Sequence, residues 1–461
     1  MRSFFAALLT TACAGLAGCA GAGLHDGADS GPQPPDARIA DAASDSLSNA
    51  AADAAVVTDS SGADGGEAIE AGALPDSGPD ANGTSYHDIG DPSFWSTFEI
   101  GAPDGGPKSF NGGTFDGRYV YFAPYNYNPV ATRYDTTSGF GSAASWSTSD
   151  TQPLSGNANG FEGAVFDGRY VYLVPFANGA SLDGTVYRYD TTTSFGAANA
   201  WTTFDVKTLD PNAQAFQGGT FDGRYVYFAP YVSSVVARFD TQGDFTSATS
   251  WSTFDMGHNG SDGAVFDGRY VYFNATAGSS AVLRYDTQTS FTQAASWSTF
   301  SASAMGITQA GLMAFDGRYV YLVSLSTWQP TVDGGTYAPT VARYDTLSPF
   351  DGPTSWATAP GPGFGGQELR NGAFDGRYIY LVPSQDGLLM RFDTQASFSS
   401  PGAWSAFDTT TLDANAAGFL GAVFDGRYLY LVPAQNGVVA RFDAKVPPSM
   451  PALPAFYGSF H

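Results

Sequence analysis

The chain has 461 residues, with 56 Gly, 35 Phe and 25 Tyr, and its aromatic share of 15% exceeds its charged share of 14%. Such a composition favours strands joined by tight turns and excludes an all-helical protein. The formal net charge is -24, and only Lys108, Lys207 and Lys445 are lysines. The sequence therefore argues against nucleic acid or an anionic membrane surface as a partner, because both bind clustered Lys and Arg.

The N-terminus has the pattern of an export signal. Arg2 precedes an apolar run that is shorter than the roughly 20 apolar residues of a membrane-spanning helix, and the run leads to Leu16-Ala17-Gly18-Cys19. This tetrapeptide resembles the bacterial lipobox. The resemblance implies a signal peptide over residues 1–18, lipidation of Cys19 and anchoring in the bacterial cell envelope, in the outer membrane because Asp does not follow the cysteine. An ordinary signal peptide that is cut elsewhere is the alternative.

Residues 19–85 differ in composition from the rest of the chain. They are mostly Ala, Gly, Asp, Ser and Pro, with twelve acidic residues against Arg38 alone. Such a segment cannot bury enough apolar surface to offset its ordering entropy, so we predict a disordered tether. The two cysteines, Cys13 and Cys19, both lie near the N-terminus. The body of the protein therefore has no disulfide framework and no cysteine-based zinc site.

One unit is repeated through the predicted domain, residues 86–461. The string Phe-Asp-Gly-Arg-Tyr occurs seven times and begins at Phe115, Phe166, Phe221, Phe266, Phe315, Phe374 and Phe424. A second string, Arg-Tyr-Asp or Arg-Phe-Asp, begins at Arg133, Arg188, Arg238, Arg284, Arg343, Arg391 and Arg441. A tryptophan precedes each first string, at Trp95, Trp146, Trp201, Trp251, Trp297, Trp356 and Trp404. Seven units of about 50 residues with strand-like content are typical of a propeller or a solenoid.

Each unit contains sequences for four strands. In the second unit, Asp167-Gly168 lies between two β-rich runs and predicts a two-residue hairpin turn. Residues 185–190 predict the third strand, and Trp201 opens the fourth, whose aromatic side chains are expected to point outward over the blade edge. Residues 95–99 have a fourth-strand sequence but precede the first hairpin. We predict that they complete the seventh blade and close the ring; residues 454–460 are the alternative for that position.

The order of these motifs resembles that of kelch-type β-propellers. Arg169-Tyr170-Val171-Tyr172, Arg188-Tyr189-Asp190 and Trp201 follow the kelch order of a Tyr-rich strand, a strand ending in Tyr-Asp and a strand opening with Trp. Ala-Pro or Val-Pro stands where kelch units have Gly-Gly, as at Val174-Pro175. The resemblance spans about residues 93–443 and implies an all-β, seven-bladed propeller with four antiparallel strands in each blade.

The charged and aromatic repeat residues are predicted to be structural. The two strings contain 14 of the 17 arginines, each close to an aspartate. Residues that are identical in every blade favour ion pairs and turn bonds within and between blades over a sevenfold ligand site. The repeat Trp and Tyr residues are likewise expected to pack rather than to stack on sugars. Outside the leader and tether the chain has 32 acidic and 18 basic residues, so this part is acidic as well.

Ligand contacts are expected where equivalent positions differ. Four residues before each repeat Phe, at the entry to the innermost strand, the chain has Asn111, Glu162, Gln217, Asp262, Gly311, Arg370 and Leu420. The five polar members are predicted ligand contacts at the channel mouth; a solvated rim is the alternative. Trp328 is the only tryptophan outside the repeat positions, and with Tyr337 it lies in the longest loop between second and third strands. These two aromatic side chains either contact a partner or pack on the blade.

The sequence contains little that predicts catalysis. The four histidines have no metal-ligand spacing, and the zinc-protease, nucleophile-elbow, phosphate-loop and calcium-loop motifs are not found. We therefore predict a monomeric binding module of the cell envelope that recognises a glycan or a protein, without a metal or cofactor. The alternatives are a polysaccharide lyase or glycosidase that uses Glu162 and Asp262 as acid and base, and a structural envelope protein.

Overall fold

A computed structural model of the protein describes residues 83–101, 109–126, 128–152, 158–258, 260–274, 280–307, 310–324, 340–361 and 369–453. All of them belong to one compact unit, residues 73–461. The predicted signal peptide, Cys19 and the predicted tether before residue 83 lie outside the described residues. So do residues 454–460, the alternative closing segment.

The strands of the described residues follow the repeat. The chain begins with β1 (Ser85–Tyr86) and β2 (Trp95–Glu99). Blade 1 contains β3 (Phe110–Phe115), β4 (Tyr119–Pro124), β5 (Val130–Asp135) and β6 (Trp146–Asp150). Blade 2 contains β7 (Ala158–Phe166), β8 (Tyr170–Asn178), β9 (Ser181–Leu182), β10 (Thr185–Asp190) and β11 (Trp201–Asp205). Blade 3 contains β12 (Phe216–Phe221), β13 (Tyr225–Pro230), β14 (Val235–Asp240) and β15 (Trp251–Asp255).

The second half of the ring has the same organisation. Blade 4 contains β16 (Ala264–Phe266), β17 (Tyr270–Asn274), β18 (Ala281–Asp286) and β19 (Trp297–Ser301). Blade 5 contains β20 (Ala310–Phe315), β21 (Tyr319–Ser324), β22 (Thr340–Asp345) and β23 (Trp356–Pro360). Blade 6 contains β24 (Leu369–Phe374), β25 (Tyr378–Pro383), β26 (Leu388–Asp393) and β27 (Trp404–Asp408). Blade 7 contains β28 (Phe419–Phe424), β29 (Tyr428–Pro433) and β30 (Val438–Asp443), and β31 (Lys445–Val446) follows it.

A short 3-10 helix precedes each of the seven fourth strands, and where the chain is described three of these strands are also followed by one. Those that precede a fourth strand are Pro92–Phe94, Ala143–Ser145, Ala198–Ala200, Ala248–Ser250, Ala294–Ser296, Pro353–Ser355 and Pro401–Ala403. Those that follow one are Val206–Thr208, Ala302–Met305 and Thr409–Thr411.

The sheets confirm the predicted seven-bladed, all-β propeller. Each blade is an antiparallel sheet of four strands, in chain order in blades 1 to 6 and in the order β28-β29-β30-β2 in blade 7, and in blade 2 the short β9 adds to β8. The innermost strands contact one another around a closed ring, and β28 of blade 7 meets β3 of blade 1. Most inner-strand residues are buried on both faces, because each sheet is covered by a blade on either side.

The ring is closed by the N-terminal strand, as the sequence predicts. β2 pairs with β30 in antiparallel register, from Trp95 opposite Phe442 to Glu99 opposite Val438. Blade 7 therefore combines the two ends of the chain, and its outer edge carries the same kind of strand as the other blades. A separate two-stranded sheet, β1 with β31, joins the chain ends a second time.

The Asp-Gly turn is longer than predicted. In blade 1 the strands end at Phe115 and resume at Tyr119, so three residues connect them rather than two. The Asp116 carboxylate organises the turn: Oδ1 accepts from the N–H groups of Arg118 and Tyr119 at 2.8 and 2.6 Å, and Oδ2 accepts from the Tyr121 hydroxyl at 2.7 Å. Gly117 lies at φ +98°, which only glycine adopts without strain. The carboxylate holds each turn against its own second strand.

Arginines of the first string pair with aspartates of the second string. The guanidinium of Arg118 donates from Nε and Nη2 to the two oxygens of Asp135. All seven blades repeat this ion pair, with Nη2–Oδ2 distances of 2.6 to 2.8 Å. The prediction of ion pairs within blades is confirmed. The partner is the aspartate at the far end of the third strand, not the one next to the arginine in sequence.

Arginines of the second string lie between blades. The guanidinium carbon of Arg133 is 3.9 Å from the ring centroid of Tyr119 in its own blade and 4.5 Å from that of Phe195 in the next. It also donates to Ser147 Oγ and to the Tyr189 hydroxyl of the next blade, at 3.0 and 3.1 Å. Six blade interfaces have this sandwich, with distances of 3.9 to 4.5 Å. These arginines are partly buried, and a cation between two aromatic faces in such an interface contributes about 1 to 2 kcal/mol.

The fourth-strand aromatic side chains do not point outward, contrary to the prediction. Phe204 of blade 2 stacks on Trp251 of blade 3, with ring centroids 4.8 Å apart and planes 10° from parallel. The Trp251 indole is 5% exposed and donates from Nε1 to the carbonyl of Phe245 at 2.9 Å. Each hydrophobic cluster combines residues of two neighbouring blades. The repeat tryptophans are packing residues, as predicted, but their place is between blades.

The two arginines of one blade are expected to differ in their effect on stability. Arg133→Ala removes a partly buried cation from between two rings, together with its hydrogen bonds to two hydroxyl groups, and it is expected to lower the free energy of unfolding by about 2 kcal/mol. Arg118→Ala removes a solvent-exposed ion pair and should have a clearly smaller effect. Urea unfolding of both variants measures this, and equal losses would contradict the interface role of Arg133.

Two aspartates of the repeat should give opposite pH trends. Burial raises the pKa of Asp375, which contributes most stability at low pH and less as pH rises through its folded pKa. Hydrogen bonds from Arg118 lower the pKa of Asp135 to about 2, so its contribution is present at neutral pH and is lost as pH falls. As the pH rises from about 3 to about 7, the Asp375→Asn variant is expected to become more stable relative to the native chain. The Asp135→Asn variant is expected to become less stable relative to it. Urea unfolding across this range checks both, and parallel trends would overturn the assignment.

Candidate functional site

The two faces of the ring are built differently. In an antiparallel blade the turns after the first and third strands lie on one face, and the connections after the second and fourth strands lie on the other. The first set does not vary in length: three residues follow each first strand, as in 116–118, and ten follow the third strand in blades 1 to 6, as in 136–145. We call this the constant face.

The opposite face carries connections of unequal length, and we call it the variable face. Between second and third strands the connection has four residues in blade 3, residues 231–234, and fifteen in blade 5, residues 325–339. Blade 2 has the longest inner hairpin, because β7 and β8 have nine residues each and β9 adds to them. Differences between blades are therefore concentrated on the face predicted to bind a ligand.

The residues of the predicted polar ring lie on the innermost strands or, for Asp262, just before one. Asn111, Glu162, Gln217 and Asp262 are all buried, with exposed fractions of 4%, 5%, 4% and 1%. Irregularities in strand pairing occur here, for example between Phe216 and Gly219. These side chains are thus enclosed at the mouth and do not form an open rim. Gly311 is also buried and Leu420 is partly exposed, while Arg370 occupies its place on β24 and its side chain is outside the description.

A chain of hydrogen bonds connects ring positions of blades 3, 4 and 5. The Gln217 side-chain amide donates to Asp262 Oδ1. The Asp262 N–H donates to Asn274 Oδ1 at 2.9 Å, and Asn274 Nδ2 donates to the carbonyl of Gly311 at 2.6 Å. Asn274 is fully buried. In blade 4 the first strand, β16, has only three residues, and the Asn274 side chain bonds to the backbone groups of Asp262 and Gly311. The structure thus fixes three of the seven positions relative to one another.

Sequence reasoning did not identify Asn274. The available signal was a break in the repeat, because the other six blades have alanine or valine at the equivalent position. These residues are Ala123, Val174, Ala229, Val323, Val382 and Val432. A residue that departs from a repeat and is buried with both amide groups bonded has a specific local role, here the placement of Asp262.

Two loops of the variable face are copies of each other. Residues 206–215 follow blade 2, and residues 409–418 follow blade 6; both contain Thr-Leu-Asp-x-Asn-Ala. Each begins with a 3-10 helix whose first N–H reaches the preceding blade, from Val206 to Gly184 at 3.0 Å and from Thr409 to Gly387 at 2.9 Å. Both end in the left-handed region, at Ala215 with φ +55° and Gly418 with φ +69°. This duplication is visible in the sequence but was missed beside the dominant repeat.

Acidic residues that are not part of the repeat lie on the variable face. The 14 arginines and 14 aspartates of the two strings balance in charge. The fourth strands that end in an acidic residue, and so place it at this face, end at Glu99, Asp150, Asp205, Asp255 and Asp408. Hydrogen bonds from Ser234 and from the Gly257 N–H lower the pKa of Asp255, whereas burial raises that of Asp386. In its described part this face is negatively charged.

Three other features concern the aromatic residues of the longest loop, metal binding and membrane-spanning helices. Trp328 and Tyr337 lie outside the described residues. Within the described ranges, no group of three or more His, Cys, Asp or Glu side chains is arranged to hold a metal ion. None of the helices in the described part of the chain is long and apolar enough to cross a bilayer.

The geometry can be compared with known proteins. No family model and no curated protein matches the sequence. Among solved structures the chain is similar to a streptogramin B lyase, with a TM-score of 0.54 and 9% identity over 76% of this chain and 97% of that one. It is also similar to virginiamycin B lyase from Staphylococcus aureus, with a TM-score of 0.53 and 10% identity over 76% of this chain and 98% of that one.

A third similar structure is the WD40 domain of Neurospora crassa Pan2, with a TM-score of 0.51 and 11% identity over 77% of this chain and 97% of that one. At these identities the similarity shows the fold alone. The chain is a seven-bladed β-propeller, a class whose members include a lyase and a WD40 domain.

Proposed function

We propose that this protein is a binding module of the bacterial cell envelope that recognises a glycan or a protein through its variable face. The observation that carries the proposal is the division between faces. One face has connections of constant length in which the repeated charges are paired, and the other has connections of four to fifteen residues. Variable loops on a rigid scaffold are where binding residues are concentrated.

The residues proposed to contact the ligand are at the mouth of the ring and on the longest loop. They are Asn111, Glu162, Gln217, Asp262, Arg370, Trp328 and Tyr337. The first four lie on or just before the innermost strands, and this place close to the axis of the ring supports their role. The acidic residues around the mouth favour a neutral or positively charged partner over an acidic one.

The proposed biological setting follows from the N-terminus. Residues 1–18 are proposed to be a lipoprotein signal, Cys19 the lipidated residue, residues 19–85 a tether and residues 86–461 a monomeric propeller, of kelch-like organisation, held at the outer membrane. The lipobox-like sequence supports the anchor, and the absence of aromatic residues between positions 26 and 85 supports the tether.

Binding is tested with arrays of glycans, peptidoglycan fragments and envelope proteins. Trp328→Ala is expected to weaken binding about tenfold or more, because aromatic contacts in a binding site commonly contribute above about 1.4 kcal/mol. Leu347→Ala is the matched control, because Leu347 is 81% exposed and follows β22 on the constant face. Equal effects of the two substitutions would contradict binding through the variable face.

The anchor is tested by fractionation of cells. Cys19→Ser removes the sulfur to which the lipid would attach, so the protein is expected to move from the membrane fraction to the soluble fraction. Cys13→Ser is the control and should leave the protein in the membrane fraction. Retention of the Cys19→Ser protein in the membrane would contradict lipid anchoring.

A further inference from the structure

The two chain ends meet on the constant face at the seam of the ring. Ser85 and Tyr86 pair with Val446 and Lys445, and the His87 N–H donates to the carbonyl of Ala444 at 2.9 Å. The chain reaches β1 before it reaches β2. A pull applied to the chain before residue 83 therefore reaches the pairing of β1 with β31 before it reaches the strand that closes the ring.

Lys445 fastens this pairing to blade 6. It is 2% exposed, and its ammonium group donates to the backbone carbonyl of Asp375 in the Asp-Gly turn. The ammonium nitrogen is also 5.6 Å from the ring centroid of Tyr86, which packs edge-on against Tyr378 at 5.5 Å. A buried cation on a carbonyl and an aromatic ring is costly to withdraw, because the charge loses its partners before water replaces them.

At the interface between blades 6 and 7, the arginine has an aromatic ring on one side only. At the position of Phe195 in blade 2, the seventh blade has Ile89, which is 1% exposed and whose backbone carbonyl accepts from Trp95 Nε1 at 2.9 Å. Arg391 of blade 6 lies 4.0 Å from the Tyr378 ring and donates to the carbonyl of His87 at 2.8 Å. The segment before β2 thus supplies the interface contacts that a loop supplies in every other blade.

The C-terminal residues extend the contact over three consecutive turns. The Ser449 N–H donates to the carbonyl of Gly426 in blade 7 at 2.9 Å. Met450 packs against the clusters on both sides of blade 7, and Leu453 packs against those on both sides of blade 5. These C-terminal residues and β1 cover the turns of blades 6 and 7, and the side chains of the ion-paired arginines there are less exposed. Arg377 and Arg427 are 22% and 36% exposed, whereas the equivalent arginines of blades 1 to 5 are 51% to 57% exposed.

We propose that residues 84–89 and 445–453 form a lock that carries tension entering through the N-terminal segment and keeps it from the closing strand β2. The inference rests on the proposed membrane anchor, because an anchored chain is pulled at that end. Without the lock, the pull reaches β2 directly, and the ring opens at the single interface where neighbouring strands of one blade are not joined by a turn.

Constant-force measurements on single molecules test the lock. One handle is attached to Cys19 of the full-length, unlipidated Cys13→Ser chain, and the other to a cysteine introduced by Gln242→Cys on the exposed constant face of blade 3. Lys445→Ala and Tyr86→Ala are each expected to shorten the lifetime of the closed ring under tension about tenfold or more. Lys207→Ala, a partly buried lysine of the variable face, is the matched control and should leave the lifetime unchanged.

A second pulling geometry separates the lock from general stability. Handles on Ser138→Cys and Gln242→Cys, with both native cysteines replaced, load blades 1 and 3 and leave the N-terminal segment slack. Lys445→Ala should not shorten the lifetime there. Unchanged lifetimes under N-terminal pulling, or equal shortening in both geometries, would overturn the proposal. Because Cys19 serves only as a chemical handle, the result does not depend on lipidation or on a ligand, which the fractionation and binding experiments test separately.

Discussion

The arginine that lies between two aromatic rings at six of the seven blade interfaces is the contact on which the propeller depends. A guanidinium accepts a ring on each of its flat faces and still donates at its edge, which a lysine ammonium cannot do. Its own blade supplies one ring, and the next blade supplies the second ring and a tyrosine hydroxyl. Each blade thus has one half of a contact on either side, and only a closed ring completes all of them. The seam shows the same requirement, because the carbonyl of His87 receives Arg391 where no phenylalanine is present.

This arrangement leaves the sequence unequal freedom on the two faces. The constant face contains the Asp-Gly-Arg turns and the ion pairs, and a change in any turn would disturb both a carboxylate network and an arginine partner. The variable face contains none of the repeated Asp-Gly-Arg turns, so its loops can differ in length and charge without disturbing the ion pairs. The proposed binding surface and the structural repetition thus lie on opposite sides of the same strands.

The sequence predicted the number of blades, the strands of each blade and the closing strand, because three markers with one period are strong evidence. It did not predict which arginine pairs with which aspartate, since Arg118 and Asp135 are neighbours only after the second and third strands pair. The direction of the tryptophans was also wrong, because a pattern along one blade carries no information about the blade beside it. Asn274 and the duplicated loops were not predicted because they are not part of the seven-unit repeat, from which the other predictions were made.

The extended hairpin of blade 2 has a consequence for recognition. A perfectly sevenfold face would offer a partner seven equivalent docking orientations, a statistical advantage of RT ln 7, or about 1.1 kcal/mol. The nine-residue strands β7 and β8 mark one direction around the axis and remove that degeneracy. Under the proposed binding function, a partner that contacts this hairpin would be held in one orientation about the axis, so an asymmetric molecule would bind in a defined pose on an almost symmetric scaffold.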